Sequence, residues 1–349
     1  MNAQGSFKPK VMKETKNKIR VEFDRTPLKE RLKAKFLSLY FLQKVIWYVF
    51  RLVLLVGISY IVLFPFFSKI AGSFMSPEDF VDVTVRLIPK HFTLNTYKAI
   101  ILENGFFEAF KNTLILSLSA AILQTFSCCL VGYGLAKFKF KGNKIVFLLV
   151  LFTMVLPHQT IRFSFSRIFT YFWKEFFGIL HFLHLVPDSL ASGINMINTH
   201  WPMAILSATA LAFKNGLYIF LFRQFFKGVP DELEESAYID GSGVFRTFFQ
   251  IIIPLSIPTM ITVFLFSFCW QWTDNFYTNV FYTTARMKLM PSIVAVPSSL
   301  MMNFAAQDLY NAAIKNACGI LIILPLVILY IFCQRFLVQG IERSGLTAD

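Results

Sequence analysis

Charged residues are scarce in this chain. Asp, Glu, Lys and Arg make up 15% of its 349 residues, whereas a typical soluble domain contains roughly 25%. Hydrophobic residues make up 56%, and the mean hydropathy is +0.57. This composition excludes an ordinary soluble globular protein and predicts an integral membrane protein. Strand-type alternation of apolar and polar residues is also absent, so we predict a helical bundle instead of a barrel.

The motifs of common catalytic sites are absent as well. The chain contains neither H-E-x-x-H nor G-x-S-x-G, and it lacks the G-x-x-x-x-G-K-[ST] loop that holds the phosphates of ATP. His181 and His184 are three residues apart without an acidic or cysteine partner nearby, which favours a structural or interfacial role. We therefore predict that the chain is not an enzyme, does not hydrolyse ATP and holds no cofactor or metal.

The few cysteines have the pattern of buried apolar residues. They lie in or beside apolar stretches and form no C-x-x-C pair, so neither a disulfide framework nor a metal cluster is predicted. They are Cys128, Cys129, Cys269, Cys318 and Cys333.

Long apolar stretches define the predicted fold class, an all-α integral membrane protein with six transmembrane helices. An apolar run of about 20 residues is long enough to cross a bilayer. The third stretch is the shortest. The six stretches are residues 52–74, 110–135, 145–162, 201–222, 252–271 and 313–334.

Basic residues indicate the orientation. The first 51 residues contain 13 Lys or Arg and only four acidic residues, which accounts for most of the net charge of +14. Lys137, Lys139, Lys141 and Lys144 crowd the loop after the second stretch. The positive-inside rule places these segments and both termini in the cytoplasm, and six spans satisfy that parity. Because the basic residues are juxtamembrane, we predict contact with anionic lipid and no binding of nucleic acid.

Residues 230–254 form a polar, acidic loop between the fourth and fifth stretches. Pro230 suits a first helical turn, and the acidic residues after it lie where the helix dipole favours negative charge. Ala237 and Gly241 are four residues apart, with Ser236 and Asp240 beside them, so this face has small side chains that allow another backbone to approach. Gly241 is predicted to end the helix in the left-handed conformation.

A second short helix is predicted after Gly241. Ser242 is its expected N-cap, and Pro254 marks a kink at the start of the next span. An amphipathic loop that lies on the membrane surface is the alternative interpretation of this region. Four apolar residues repeat on one helix face: Phe245, Phe248, Phe249 and Ile252.

The loop contains Glu235-Ser236-Ala237, then three residues, Gly241, nine residues, and an I-x-I-P segment that ends at Pro254. This order resembles the EAA loop of ABC importer permeases, E-A-A-x3-G-x9-I-x-L-P, with Ser236 and Ile253 as departures. In that family the loop docks into an ATPase subunit. The resemblance therefore implies that the coupling residues are Glu235, Ser236, Ala237, Asp240, Gly241 and Pro254.

The similarity continues along most of the chain, over about residues 88–345. It is greatest to permeases of the MalG type, which import sugars and oligosaccharides. Two departures stand out: residues 164–200 are an insertion rich in aromatic residues, and the family's W-N-D or W-N-E segment appears here as 272–275, W-T-D-N. The matching segments are residues 88–97 (IPKHFTLNTY), 112–114 (NTL), 133–142 (YGLAKFKFKG), 154–157 (MVLP), 221–226 (LFRQFF) and 335–345 (RFLVQGIERSG).

The resemblance implies the fold, function and partners. We expect a MetI-like or MalG-like permease in a bacterial cytoplasmic membrane that forms half of the pathway for a sugar or oligosaccharide. The expected partners are a second permease subunit in a heterodimer, two ATP-binding subunits that hold ATP and Mg, an extracytoplasmic solute-binding protein, and membrane lipid. The expected divisions are 1–45 (cytoplasmic segment), 46–338 (transmembrane domain) and 339–349 (cytoplasmic tail).

A cluster of aromatic and polar residues follows the fifth stretch. Sugar rings stack on indoles, and their hydroxyls bond to amides and carboxylates, so this cluster is a candidate substrate path. An aromatic belt at the outer interface of the membrane is the alternative interpretation. The residues are Trp270, Gln271, Trp272, Asp274, Asn275 and Tyr277.

Three questions stay open at this point. The 164–200 insertion is either a docking surface for the solute-binding protein or the second permease subunit, with Arg167, Tyr171 and Trp173 as anchors, or a set of interfacial helices. The solute is either a sugar or another compound such as an amino acid, a peptide or phosphate. A membrane-embedded enzyme or scaffold is the rival from another class, but the polar catalytic cluster that it needs inside the spans is not found in the sequence.

Overall fold

The computed structural model of the chain describes residues 10–12, 20–22, 39–183, 187, 193–212, 214–282 and 287–341. The chain divides into two compact units, Met1–Ser68 and Lys69–Asp349. In chain order the α-helices are α1 (Leu39–Ser73), α2 (Pro77–Val81), α3 (Asn95–Glu103), α4 (Phe106–Lys137), α5 (Asn143–Val155), α6 (Arg162–Thr170), α7 (Lys174–Phe182), α8 (Trp201–Ala208), α9 (Asn215–Lys227), α10 (Glu232–Ile239), α11 (Val244–Thr247), α12 (Ile253–Trp272), α13 (Phe276–Phe281) and α14 (Gln307–Ile341).

The N-terminal segment contains a small element that the sequence analysis did not predict. Strands β1 (Lys10–Met12) and β2 (Arg20–Glu22) pair in antiparallel fashion, with Val11 opposite Val21. Apart from this pair and two isolated bridges, the described chain is helical.

Four helices are long and apolar enough to cross a membrane. They correspond to the first, second, fifth and sixth predicted stretches, and each is longer than predicted, because helices continue beyond the most apolar part of a span. The four are Phe41–Ser73, Phe106–Lys137, Val244–Trp272 and Gln307–Phe336.

The third predicted stretch is not one straight helix. Helix α5 has 13 residues and is therefore only about 20 Å long. The chain then bends by 95° before the helix that ends at Thr170. The bend lies at Leu156, whose backbone is extended at ψ 127°. Pro157 follows it directly, and a proline disfavours the helical conformation of the residue before it.

The fourth predicted stretch, 201–222, is also divided. Helix α8 ends at Ala208 and α9 begins at Asn215, and Ala210 between them has a positive φ of 57°. A residue with a side chain rarely takes this conformation, which cannot continue a right-handed helix. The described helices therefore provide four long spans, or five if the bent pair is one span.

Helix α4 forms the centre of the second unit, where it packs against α8, α9 and α12. Its contact with α9 depends on Gly132, because a Cβ atom built there would lie 2.5 Å from the Cβ of Phe222. Around this crossing, aromatic rings form a core: Tyr133 packs edge-to-face on Phe226 and lies 4.8 Å from Phe248, centroid to centroid.

The start of the fifth predicted stretch differs from the prediction. Gly243, not Ser242, is the N-cap of α11, and residues Phe248–Ile252 form a π turn that leads into α12. Pro254 has no N–H to donate, and the wider turn accommodates it without a break in the span. The four apolar residues do not share one buried face: Phe248 and Ile252 are buried, whereas Phe245 and Phe249 are exposed.

The aromatic insertion packs partly into the chain's own core. Phe169 is buried and meets Phe281 of α13 edge-to-face, and Phe172 stacks on Phe169. Tyr171 and Trp173 remain about half exposed. His184 and residues 188–192 lie outside the described residues.

Candidate functional site

Helix α10 has the local structure that the acidic loop predicts. It begins after Asp231 and carries three acidic residues in its first turn. At its end Gly241 has φ 82°. The N–H of Gly241 donates to the carbonyl of Tyr238 at 3.0 Å, and the N–H of Ser242 donates to that of Ala237 at 2.9 Å. These two bonds form a Schellman motif, so the predicted left-handed end of the helix is confirmed.

The predicted coupling residues of α10 do not all face outward. Glu235, Ser236 and Asp240 are exposed, but Ala237 is 6% exposed and packs against its own chain. A Cβ atom built at Gly241 meets nothing within 4 Å in this chain, so the positive φ is the local reason for glycine there. The outward surface combines carboxylates with apolar side chains, among them Ile239. Pro254 is exposed at the start of α12.

Lys137 at the end of α4 anchors the start of α10. Its Nζ donates to the carbonyl of Val229 at 2.6 Å and to Oδ1 of Asp231 at 2.5 Å, and it lies 4.0 Å from Oε1 of Glu234. The hydrogen bond from Lys137 holds the pKa of Asp231 below its usual value. Burial raises the pKa of Glu234, and the charge of Lys137 opposes that shift. From the sequence, Lys137 was a marker of orientation and part of the matching segment 133–142, and no contact with α10 was predicted for it.

A cavity of about 220 Å³ lies where α12 ends and α9 begins. It contains five of the six residues of the predicted substrate path, together with residues from α4 and α9. The lining residues are Gln124, Ala212, Lys214, Tyr218, Ser267, Trp270, Gln271, Thr273, Asp274, Asn275, Phe276 and Tyr277.

Trp272 is the member of the predicted set that lies elsewhere. Its side chain is fully buried, and its Nε1 donates to the carbonyl of Ile322 in α14 at 2.9 Å. Its ring packs edge-to-face on Phe110 and stacks on Phe268. Successive residues of an α-helix are rotated by about 100°, so Trp270 and Trp272 point to nearly opposite sides.

The ring of Trp270 borders the cavity but is already covered in part. Lys214 Nζ lies 4.5 Å from the centre of the ring. Tyr218 and Phe266 each stack on it at 5.9 Å between centroids. A sugar that stacks on this indole therefore has to displace the Lys214 side chain.

Polar groups inside the cavity are only partly satisfied. Ser267 donates to Oε1 of Gln124 at 2.7 Å, and Nε2 of Gln124 donates to Ser207 at 3.2 Å. Among the described residues, the Tyr218 hydroxyl and Nε2 of Gln271 are buried without a hydrogen-bond partner. Buried polar groups normally have partners, so these two are available to a ligand or to water.

Asp274 has a structural role in addition to its place in the cavity wall. Its Oδ2 accepts hydrogen bonds from the N–H groups of Tyr277 at 2.7 Å and Thr278 at 3.2 Å, at the start of α13. Burial raises the pKa of its carboxyl group, although these backbone donors oppose the shift. Asn275 is exposed and Tyr277 is buried.

The sequence analysis missed Gln124, Lys214 and Tyr218 as cavity residues. Gln124 offered a signal, because a polar residue in the middle of an apolar span usually has a task. Lys214 and Tyr218 offered none, since they reach the cavity only through the fold of α9. Within the described part of the chain, no group of three or more His, Cys, Asp or Glu is placed to hold a metal ion.

Comparisons with known proteins agree with this architecture. Residues 129–343, more than half of the chain, match the family model of the binding-protein-dependent transport system inner membrane component. The chain is 26% identical to the inner membrane ABC transporter permease protein YcjP of Escherichia coli over 291 residues, which is 82% of this chain and 91% of YcjP. It is 27% identical to the arabinooligosaccharides transport system permease protein AraQ of Bacillus subtilis, over 82% of this chain and 92% of AraQ.

A solved structure has a similar fold. The crystal structure of a bacterial ABC transporter involved in the import of the acidic polysaccharide alginate contains a chain that aligns with a TM-score of 0.60 at 18% identity. The alignment covers 84% of this chain and 97% of that one. The family match, the long relatives and the helical fold lead to one conclusion: this chain belongs to the family of inner membrane components of binding-protein-dependent transport systems and is the non-catalytic, multi-pass permease subunit of such an ABC importer.

Proposed function

We propose that this permease forms half of the transmembrane pathway for a sugar or oligosaccharide, and that the cavity beside Trp270 is part of the path. One observation carries the proposal: buried, unpartnered donors of Tyr218 and Gln271 lie beside an indole ring in one cavity. Sugars offer hydroxyls for such donors and a ring face for the indole. AraQ is described as a permease for arabinooligosaccharides, which supports the same class of solute.

The proposed path is tested by removal of a single hydroxyl. We expect Tyr218→Phe to raise the KM for sugar uptake by about 2- to 10-fold, the effect of one lost hydrogen bond, with unchanged ATP hydrolysis in the absence of solute. Tyr282→Phe is the matched control, because its hydroxyl is also buried without a partner among the described residues but does not line the cavity. Equal effects of the two variants would assign the loss to packing instead of substrate contact.

The solute class is tested separately with the complete importer in proteoliposomes. A binding protein loaded with an oligosaccharide should stimulate ATP hydrolysis and drive uptake of that sugar. If only an amino acid, a peptide or phosphate is accumulated, the sugar assignment is wrong, although the chain remains an importer permease.

The proposed coupling site is the outward surface of α10. Its exposed carboxylates and Ile239 suit a cleft on an ATP-binding subunit, and a short helix with a defined end can follow the movement of that cleft as a rigid body.

The proposed complex contains a second permease subunit, two ATP-binding subunits that hold ATP and Mg, and an extracytoplasmic solute-binding protein. The exposed Tyr171 and Trp173 of the insertion offer that binding protein a contact.

The proposed topology has six spans with both termini in the cytoplasm. In it, the bent helix pair that begins at Asn143 and the divided pair α8 and α9 each cross the membrane once, beside the four long helices. Residues 1–45 and 339–349 are then cytoplasmic. Irregular backbone within a span is tolerated where protein surrounds it, and Ala212 and Asn215 beside the break are buried.

Reporter fusions test this topology. A reporter fused after Lys139 or Gly243 should lie in the cytoplasm, and a reporter fused after Phe80 or Gly193 should lie outside the cell. The reason is that the positive-inside rule sets the orientation of the short basic loops. The same sites carrying single cysteines for impermeant labels, in a background without the native cysteines, give an independent measurement. An inverted signal at any of the four sites would overturn the six-span topology.

A further inference from the structure

Lys137 differs from the other lysines of its loop in burial. Its side chain is only 7% exposed, whereas Lys139, Lys141 and Lys144 are exposed. A buried ammonium group is costly unless it is paired and hydrogen-bonded. The positive-inside rule explains basic residues in this loop in general, but it does not explain why one of them is buried.

The contacts of Lys137 join two elements that are distant in sequence. Its Nζ bonds to the carbonyl of Val229, just before α10, and to Asp231 at the N-terminus of that helix. Glu234 lies three residues further on, so its carboxylate is on the same face of the helix as Asp231. The ammonium group thus crosslinks the end of α4 to the start of α10.

The two carboxylates offer Lys137 two alternative partners. Asp231 is hydrogen-bonded at 2.5 Å, and its side chain is 77% exposed. Glu234 is 4.0 Å away, its side chain is 10% exposed, and its Oε1 has no hydrogen-bond partner among the described residues. A shift of α10 against α4 that brought Glu234 closer to Nζ and Asp231 farther from it would exchange one pair for the other. Two discrete arrangements of this kind are what the transmission of a conformational change requires.

We propose that Lys137 is the positioning residue through which movement of α10 is transmitted to α4, with Asp231 and Glu234 as its two partners. The proposal rests on the proposed docking of α10 on the ATPase. Helix α4 also carries Gln124 of the cavity wall, so a displacement at Lys137 reaches the proposed substrate path through one continuous helix.

Other contacts hold the end of α4 without Lys137. Nε of Arg223 donates to the carbonyl of Leu135 at 3.4 Å, and Nδ2 of Asn143 donates to the same carbonyl at 3.2 Å. The core around Tyr133 lies one turn away from Lys137. A variant at Lys137 should therefore fold and assemble, while α10 loses its ion pair with α4.

The test uses the complete importer in proteoliposomes and measures the sugar transported per ATP hydrolysed. We expect Lys137→Met to lower this ratio about tenfold, with ATP-binding subunits still bound in normal amount. Lys137→Arg, which keeps the donors, should restore most of the ratio. Lys139→Met is the matched control, since it removes an exposed charge from the same loop.

The outcomes separate this proposal from the proposed function. If Glu235→Lys uncouples transport but Lys137→Met does not, α10 couples to the ATPase without this connection and the inference about Lys137 is overturned. If neither variant changes the ratio, the proposed role of α10 as the coupling helix is contradicted, and the inference about Lys137, which rests on that role, is overturned with it. An equal loss in Lys137→Met and Lys139→Met would also contradict the proposal.

A second variant decides the question if Lys137→Met does not assemble. Asp231→Asn removes the charge of an exposed partner and shifts Lys137 toward Glu234, so it should lower the ratio about threefold. A wild-type ratio in Asp231→Asn, in a complex that does assemble, would overturn the role of the pair.

Discussion

Replacement of Gly241 with valine is expected to lower coupled transport about 5- to 30-fold while the protein still inserts into the membrane. Gly241 has φ 82° and donates the hydrogen bond that ends α10. A residue with a side chain pays about 1–2 kcal/mol in this conformation, and a difference of that size changes an equilibrium about 5- to 30-fold. The strain is relieved when the Schellman motif opens, and α10 then has no defined end.

Gly243→Val is the matched control for this prediction. Gly243 has φ −80°, and a Cβ atom built there meets nothing within 4 Å. Valine tolerates this extended conformation. The measurements are uptake, ATP hydrolysis and the amount of ATPase subunit that copurifies. Glu235→Lys should uncouple transport by a different route, because it reverses an exposed charge without any change in backbone conformation. Equal uptake by Gly241→Val and the wild type would contradict the proposed role of the loop.

The second large effect is expected at Gly132, where alanine should destabilise the permease by about 3 kcal/mol, at the upper end of the usual cost of overpacking. The new Cβ atom would lie 2.5 Å from the Cβ of Phe222 and 3.1 Å from the backbone nitrogen of Arg223. Neither atom is at the end of a flexible side chain, so α4 and α9 have to separate.

Gly134→Ala tests whether any added methyl group in this helix has the same effect. The nearest atom to a Cβ at Gly134 is in the side chain of Phe138, at 4.0 Å, which is an ordinary contact. We expect Gly134→Ala to match the wild type in melting temperature and in yield of monodisperse protein after detergent extraction. Gly132→Ala should melt at a lower temperature and give only a small part of that yield. A Gly132→Ala protein as stable as the control would show that the helices repack without cost.

Local sequence was sufficient to predict α10. The acidic residues lie in its first turn and Gly241 ends it, and both effects act within a few residues. Pro230 was predicted in the first turn but lies before Asp231, the N-cap, and the bond from Lys137 to Asp231 is a long-range contribution to the start of the helix.

The predicted cap at Ser242 was wrong, because the next helix begins one residue later, at Val244, with Gly243 as its N-cap. The four apolar residues of this segment differ in burial, since tertiary packing covers Phe248 and Ile252 but leaves Phe245 and Phe249 exposed.

The candidate substrate path was predictable only as a set of residue types. The W-T-D-N segment indicated aromatic and polar chemistry near the end of the fifth span, but it did not indicate which ring faces the cavity. The structure separates Trp270 from Trp272 and adds Gln124, Lys214 and Tyr218 from other helices. Contacts between helices that are 80 or more residues apart in sequence, such as Gln124 with Ser207, leave no local pattern.

The sequence by itself determined that this is a helical membrane protein, where its long spans lie, and that residues 230–254 resemble the EAA loop of importer permeases. These features depend on the number of apolar residues needed to cross a bilayer and on backbone preferences that act over a few residues. Only the tertiary structure decided that the Lys137 side chain is covered where it bonds to the start of α10, that Gly132 marks a close helix crossing, and that the apolar stretch 201–222 is divided near Ala210. Each of these depends on which helices pack together. The hydrophobic pattern does not distinguish side chains of the same type, whereas close packing determines which of them are buried and which glycines lie at a helix contact.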